Sequence, residues 1–266
     1  MLSVCATPIG NLEDVTLRVL RELAEADVVL AEDTRHTRGL LERHGIRARL
    51  LSYHEHNEAK RTAELLPRLQ SGERLALVSD AGLPGISDPG ARLVAAALEA
   101  GVPVTVLPGP SAVETALVAS GLVGERYQFV GYLPRGERGL TELGEELAGW
   151  QWPVVAFESP QRLPRSLAAL ARVVPDRPSA VCRELTKRHE EVALGTVAEL
   201  AERFGEPVRG EVTLVLGAAP PLEPSGEEAA AAVAELVEAG VPRRQAAEVV
   251  ARLTGASRNA LYRGSL

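Results

Sequence analysis

Residue types that can move a proton or hold a developing negative charge cluster in the segment EDTRHT. This segment directly follows the predicted strand Val28–Ala31 and contains Glu32, Asp33, Arg35 and His36. A carboxylate or a neutral histidine can accept a proton, and an arginine can stabilise an oxyanion. The alternative for both acids is a helix N-terminal cap, because acids at a strand-to-helix junction commonly cap the helix. We predict Glu32, Asp33 and Arg35 as catalytic candidates. The cap is the alternative for the two acids. For Arg35, as for Arg38 and Arg43, the alternatives are a solvated helix face and, with His36, a phosphate contact.

A second charged segment, RELTKRHEE, offers Glu184, Lys187 and Arg188 after another predicted strand. Lysine occurs only at Lys60 and Lys187 in a chain that otherwise uses arginine for positive charge. Lys187 is therefore our fourth catalytic candidate.

Four segments rich in glycine and proline each follow a predicted strand. They are TPIGN at 7–11, SDAGLPGISDPG at 79–90, LPGPSA at 107–112 and FESPQR at 157–162. Loops at the carboxyl ends of parallel strands line the ligand crevice of an open α/β sheet. Neither a phosphate-binding GxxxxGK[ST] loop nor a GxGxxG fingerprint follows the first strand, which weakens nucleoside triphosphate and dinucleotide interpretations. We expect a loop-lined cleft for another ligand, and an ordinary turn is the alternative for any one segment.

The elements that must position these segments alternate between short β-rich runs and helical ones, which favours an α/β fold with a parallel sheet in the first half. The predicted strands are 2–6, Val28–Ala31, 75–79, 102–107, 127–133, 154–157, 180–183 and 211–216. The predicted helices are Glu58–Gln70, 91–100 and 163–172, together with a helix that Thr16 caps and a helix that begins at Ser111. A proline-rich run, AAPPLEPSGEE, predicts a linker, followed by three short helices at 227–238, 243–253 and 258–263. We predict an N-terminal α/β lobe at 1–118, a second α/β lobe at 119–220 and a helical tail at 221–266 that is similar in layout to a helix-turn-helix.

Composition narrows the class of protein. With 266 residues, 45% of them hydrophobic, the chain is long enough for two packed cores. No apolar run approaches the ~18 residues of a spanning helix, so we predict a soluble cytoplasmic protein without membrane association. Cys5 and Cys182 lie in apolar runs, and His54 and His56 have no nearby third ligand, so we predict no metal site. The net charge of −7 argues against nonspecific coating of nucleic acid but allows a local basic patch.

Eight segments in order make the chain similar to a known family. They are TPIGNLEDVTLRVL, AEDTRHTRGLL, SYHEHNE, LALVSDAGLPGISDPG, VLPGPSA, FVGYLPR, FESPQRL and CRELTKRHEEV. Together they resemble the bacterial 16S ribosomal RNA cytidine 2′-O-methyltransferases of the tetrapyrrole-methylase superfamily. The tail segment AAEVVARLTGASRNALYR resembles the terminal helical extension of that family. The resemblance implies two α/β lobes that bind S-adenosylmethionine between them, in a protein that is usually a homodimer.

The resemblance also implies a set of cofactor-binding residues. From the first lobe these are Pro8, Asp80, Ala81, Gly82, Leu83, Ile86, Ser87, Ser111 and Ala112, and from the second lobe Phe157 and Thr213. Two positions depart from the family. Gln161 stands where histidine is more usual, and Gly39 replaces a typically basic residue.

The resemblance implies that the protein catalyses S-adenosylmethionine-dependent 2′-O-methylation of a cytidine. The expected site is the decoding region of 16S ribosomal RNA on the small ribosomal subunit. The tail could anchor phosphates, because it carries five arginines against one acid from Arg243 onward. Tyr132 and Tyr262 are the nearest candidates for base stacking. The alternatives are a tetrapyrrole or corrin methyltransferase, a diphthamide-forming protein methyltransferase, and a noncatalytic ribosome-associated binding module.

Overall fold

The first lobe is built on a parallel five-stranded sheet in a computed structural model that describes residues 1–219 and 226–264. The strands are β1 (Leu2–Cys5), β2 (Val28–Ala31), β3 (Leu50–Ser52), β4 (Leu75–Val78) and β5 (Val104–Leu107), in the order β3-β2-β4-β1-β5. All four pairings are parallel, with Ala31 opposite Val78 in the register of β2 and β4. The carboxyl ends of the strands therefore share one edge, where the loops begin.

Helices cover both faces of this sheet because alternate strand residues point to opposite sides. The helices are α1 (Leu17–Glu25), α2 (Thr34–Arg43), α3 (Glu58–Gln70), α4 (Ala91–Glu99) and α5 (Ala112–Ala119). Val28 and Leu30 pack with the apolar faces of α3 and α4, whereas Val29 and Ala31 pack with α1 and α2. The Thr16 hydroxyl caps α1 by accepting from the Val19 amide at 3.1 Å, as predicted.

The second lobe has a mixed sheet. Its strands are β6 (Gln128–Tyr132), β7 (Val154–Glu158), β8 (Pro178–Arg183), β9 (Glu191–Thr196) and β10 (Val212–Leu216), in the order β6-β7-β10-β8-β9, and its helices are α6 (Glu137–Ala148), α7 (Leu163–Ala171) and α8 (Val197–Arg203). Only β6 and β7 pair in parallel; the other three pairings are antiparallel.

Helix α5 joins the lobes. Its residues Val113, Ala116 and Leu117 pack against Val155 and Val215 of the second sheet in one buried apolar cluster. Residues 1–218 accordingly form one compact unit. The loops that follow β1, β4 and β5 are held beside the second sheet by this packing.

Residues 219–266 form a second compact unit. It contains α9 (Gly226–Glu238), α10 (Arg243–Thr254) and α11 (Arg258–Gly264), packed around Ala229, Val233, Ala246, Val250 and Leu261. Gly255 ends α10 in the left-handed conformation, with φ of 73°. Most of the predicted linker falls at 220–225, outside the described residues.

The fold confirms the predicted class and most of the predicted elements, to within a residue or two at their ends. The sequence reading did not identify β3, β9, α6 or α8. The predicted lobe boundary near residue 118 stays a prediction. None of the described helices is both long and apolar enough to cross a membrane.

Candidate active site

A cavity of about 480 Å³ lies between the two lobes of the first unit. This volume is within the roughly 300–1,000 Å³ of small-molecule sites. Its walls come from Ile9, Glu32, 80–83, 86–88, 111–113, Tyr132, 157–160, Cys182, Leu185 and 210–213. The structure thus brings together every predicted cofactor residue except Pro8.

The glycine-rich segment at 79–90 is fixed in place by hydrogen bonds at both ends. Thr7 and Gly82 exchange backbone hydrogen bonds of 2.9 and 3.1 Å, which ties this loop to the one after β1. At the other end, the Gly90 amide donates to the Glu58 carboxylate at 3.2 Å. Gly90 has φ of 137°, and a Cβ there would lie 2.8 Å from Leu77 Cδ2, so this position requires glycine. These contacts fix the backbone of the loop at Gly82 and at Gly90.

Three carboxylates, Glu32, Asp80 and Asp88, line one part of the cavity. Burial raises the pKa of Glu32, and the neighbouring Asp80 charge raises it further. Burial, reinforced by Glu32 and Asp80, raises the pKa of Asp88 to about 7. Asp80 also accepts a hydrogen bond from the Asp33 amide at 3.0 Å, which fixes its side chain. The cavity is therefore electronegative and suits a cationic ligand. Sequence analysis did not single out Asp88.

Two of the predicted catalytic residues lie elsewhere. The Asp33 carboxylate caps α2 by accepting from the Arg35 amide at 2.8 Å, and it pairs with the Arg35 guanidinium at 2.7 Å. These hydrogen bonds from Arg35 hold the pKa of Asp33 well below its usual range. The Arg35 side chain is 86% exposed, and neither residue lines the cavity. The capping alternative therefore describes the position of Asp33.

Lys187 and Pro8 line a smaller pocket of about 110 Å³ beside the cavity. The Lys187 ammonium lies 2.9 Å from carboxylate oxygens of both Glu184 and Glu211. Burial works to lower the pKa of Lys187, but the hydrogen bonds to these two carboxylates outweigh it and the pKa is raised. Lys187 thus remains a cation that is already paired.

The second lobe contributes an aromatic wall. The Phe157 ring lies 4.9 Å from Phe129 and 5.6 Å from Tyr132 between ring centroids, both edge-to-face. Tyr132 is 62% exposed where it lines the cavity. Gln161, one of the departures from the family pattern, is exposed and does not line the cavity.

A buried carboxylate stiffens this wall. The Glu158 side chain is fully buried and accepts from the Ser159 amide, from Arg162 Nε at 2.8 Å and from the Ser166 hydroxyl. Arg162 also donates to the Leu133 carbonyl at 2.9 Å. A carboxylate followed four residues later by arginine is the only sequence signal that could have revealed this network.

Comparison with known proteins identifies two matching families. The family described as Tetrapyrrole (Corrin/Porphyrin) Methylases matches residues 1–201, and the RsmI C-terminal HTH domain matches residues 223–264. Uroporphyrin-III-C-methyltransferase from Thermus thermophilus shares the fold, with a TM-score of 0.58 at 24% identity over 81% of this chain and 93% of that one. Diphthine synthase does so with a TM-score of 0.61 at 17% identity over 81% of this chain and 89% of that one.

Several curated relatives carry the name Ribosomal RNA small subunit methyltransferase I. The protein from Mycobacterium bovis is 47% identical and is matched over 97% of this chain and 91% of its own length. Those from Mesorhizobium japonicum and Synechocystis are 44% and 42% identical, over 98% and 100% of this chain and 90% and 97% of their own lengths. The chain therefore belongs to the ribosomal RNA small subunit methyltransferase I family, within the Tetrapyrrole (Corrin/Porphyrin) Methylases.

Proposed function

We propose that this protein transfers the methyl group of S-adenosylmethionine to the 2′-hydroxyl of a cytidine ribose in 16S ribosomal RNA. The observation that carries the proposal is the electronegative cavity between the lobes, in a chain whose relatives are named as ribosomal RNA methyltransferases. The decoding region of the assembled small subunit as substrate, a homodimeric state and a cytoplasmic location belong to the same proposal.

The residues of the cavity fit S-adenosylmethionine by their chemistry. The cofactor carries a sulfonium and an ammonium, which carboxylates such as Glu32, Asp80 and Asp88 attract strongly in a partly desolvated site. The backbone of 80–83 supplies amides and carbonyls, and Ile9 and Phe157 supply apolar surface for a heteroaromatic ring. When bound, the cofactor supplies an electrophilic methyl carbon.

The chain's own residues must then align the ribose oxygen and receive its proton. Alignment comes from the loop at 79–90, since its hydrogen bonds to Thr7 and Glu58 hold it in place. Glu32 lines the cavity and its raised pKa makes it a better proton acceptor than an ordinary carboxylate. We retain Glu32 as a catalytic candidate on these grounds.

The other predicted residues take less direct parts in the proposal. Lys187, held by Glu184 and Glu211, would orient Glu211 at the edge of the cavity. Asp33 would act by fixing Asp80 and Arg35, whose exposed guanidinium is placed to contact a phosphate. The exposed arginines of the tail, Arg252 and Arg258 among them, are proposed as further phosphate anchors.

Methyl transfer to small ribosomal subunits tests the proposal. Labelled S-adenosylmethionine would be incubated with subunits from a strain lacking the activity, and the modified nucleotide mapped. We expect label on one ribose 2′-oxygen of 16S RNA. Glu32→Gln should lower the rate at least tenfold, whereas Glu42→Gln, which alters an exposed acid of α2 outside the cavity, should not.

Each other outcome favours a named alternative. Cofactor binding without transfer to subunits would favour a tetrapyrrole or a protein as substrate, the chemistries named for enzymes of the same fold. No cofactor binding at all would favour a noncatalytic binding module.

A further inference from the structure

A groove with two exposed arginines lies on the far side of the smaller pocket from the cavity. The groove has a volume of about 550 Å³ and is lined by residues 10–13, Arg43 and residues 186–188. It shares Gly10, Leu12 and Lys187 with the smaller pocket of about 110 Å³, which we call the throat. The throat in turn shares Ile9, Asp80, Ala81 and Glu211 with the cavity. Groove, throat and cavity are therefore neighbouring pockets that share walls.

The groove has free positive charge. Arg43 is 62% exposed, and among residues 1–219 and 226–264 it forms one ion pair, a marginal contact of 4.0 Å to Glu13. Arg188 is exposed and forms no ion pair within the part of the chain that the structure describes. Both guanidiniums can therefore bind a bidentate anion such as a phosphodiester without first breaking a strong ion pair. Lys187, in contrast, is held by two carboxylates.

The junction between groove and throat is rigid. The Asn11 amide donates to the Thr186 hydroxyl at 2.9 Å, which joins the loop after β1 to the loop after β8. A Cβ on Gly10 would lie 2.5 Å from Lys187 Cγ and 2.7 Å from the Leu185 carbonyl, so the two loops are in close contact. Glu184 and Thr186 have left-handed backbones, with φ of 52° and 64°, a conformation that persists only where the surroundings enforce it.

The groove and the cavity differ in the sign of their charge. The groove presents Arg43 and Arg188 against one carboxylate, Glu13, whereas the cavity presents Glu32, Asp80 and Asp88. A phosphodiester is attracted to the groove and repelled from the cavity, but an uncharged ribose is free to approach the cavity through the throat.

We propose that the groove binds the phosphodiester backbone flanking the target nucleotide, with Arg43 and Arg188 as its phosphate contacts, and that the target ribose faces the cavity through the throat. The inference rests on the proposed function, because it takes RNA as the second substrate. It assigns the route by which the RNA reaches the cavity proposed for S-adenosylmethionine.

The salt dependence of RNA binding tests this assignment. Binding of the full-length protein to unmodified 16S RNA would be measured by filter retention between 50 and 300 mM KCl, for wild type, Arg43→Ala, Arg188→Ala and the double variant. Each lost phosphate contact lowers the slope of log K against log salt by about 0.7 on single-stranded RNA. We therefore expect a slope lower by about 1.4 in the double variant. Arg138→Ala, which removes an exposed, ion-paired arginine of α6 away from the groove, is the matched control.

Two further measurements separate the possible failures. The dissociation constant for S-adenosylmethionine and the thermal midpoint should match wild type in all variants, and Arg43→Lys with Arg188→Lys should retain the slope. An unchanged slope in the double variant would overturn the groove assignment, and a lower slope in Arg252→Ala with Arg258→Ala would then locate phosphate binding in the tail. If the wild-type protein binds RNA with the expected salt dependence but methylates no subunit, the proposed function is refuted and the groove assignment is not. If wild type binds no RNA, both fail.

Discussion

Neutralising Asp88 should stabilise the protein more at high pH than at low pH. Asp88 is half-buried, and the charges of Glu32 and Asp80 face it, so its pKa is raised from an ordinary 3.8 to about 7. Tyr132 lies near it across the cavity, and the Asp88 charge helps to raise the pKa of that phenol. Below pH 4 both the folded and the unfolded chain hold the proton. As pH rises, the unfolded chain releases it first, and the folded state loses stability until about pH 7.

The expected magnitude follows from the size of the shift. One pKa unit corresponds to about 1.4 kcal/mol, so a shift from 3.8 to about 7 costs the folded state about 4 kcal/mol above pH 7. At pH 5 only the first part of this cost has accrued, about 2 kcal/mol. Asp88→Asn removes the charge with nearly the same shape, and any loss in hydrogen bonding is independent of pH. The stabilisation should therefore be roughly 2–3 kcal/mol larger at pH 8 than at pH 5.

Urea denaturation of wild type and Asp88→Asn at pH 5 and pH 8 would measure this difference, with equal m-values showing that the same surface is exposed. Asp176→Asn is the control, because that aspartate is exposed and its substitution should change stability by less than about 0.5 kcal/mol at either pH. Equal effects of Asp88→Asn at the two pH values would refute the argument that burial and the charges of Glu32 and Asp80 raise the pKa of Asp88.

Three more substitutions have defined outcomes. Arg162→Met should lower the free energy of unfolding by about 3 kcal/mol, because it leaves the Glu158 carboxylate buried without its cation, and urea titration of the double variant with Glu158→Gln should recover much of the loss. Gly10→Ala should cost about 1–3 kcal/mol in thermal unfolding, because its methyl group overlaps Lys187; an unchanged midpoint would show that the loops can separate at little cost. Glu32→Gln should weaken the binding of S-adenosylmethionine more than that of S-adenosylhomocysteine, which lacks the sulfonium charge, in calorimetry. Equal weakening would mean that Glu32 does not interact with the sulfonium.

Elements with strong apolar patterns were predictable from the sequence, and those stabilised by neighbours were not. Strands β2 and β4 are four-residue apolar runs buried on both faces, which the sequence displays directly. Helix α6 contains Gly139 and Gly144, which lower helix propensity. It forms because Leu140 and Leu147 are buried and because Gly144 lets Val173 approach, where a Cβ would lie 3.2 Å away.

The site was predictable as a set of loops but not as a set of side-chain roles. Glycine and proline mark the loops at 79–90 and 107–112 because backbone conformation there requires them. Which carboxylate faces the ligand depends on how each loop folds. Asp33 turns toward α2 and its cap, whereas Asp88 turns into the cavity, and nothing in the residue types distinguishes the two.

The negative charge of Glu32, Asp80 and Asp88 affects the rate of methyl transfer as well as the binding of the cofactor. A negative site stabilises a cationic cofactor in the ground state, and this works against a reaction that consumes the positive charge. If Glu32 or Asp88 takes the ribose proton as the methyl group moves, one negative charge disappears from the cavity together with the positive one. The net charge of the site is then the same before and after transfer, so the carboxylates can bind the cofactor without opposing the chemistry. A carboxylate with a raised pKa is required for this role, and both Glu32 and Asp88 meet that requirement.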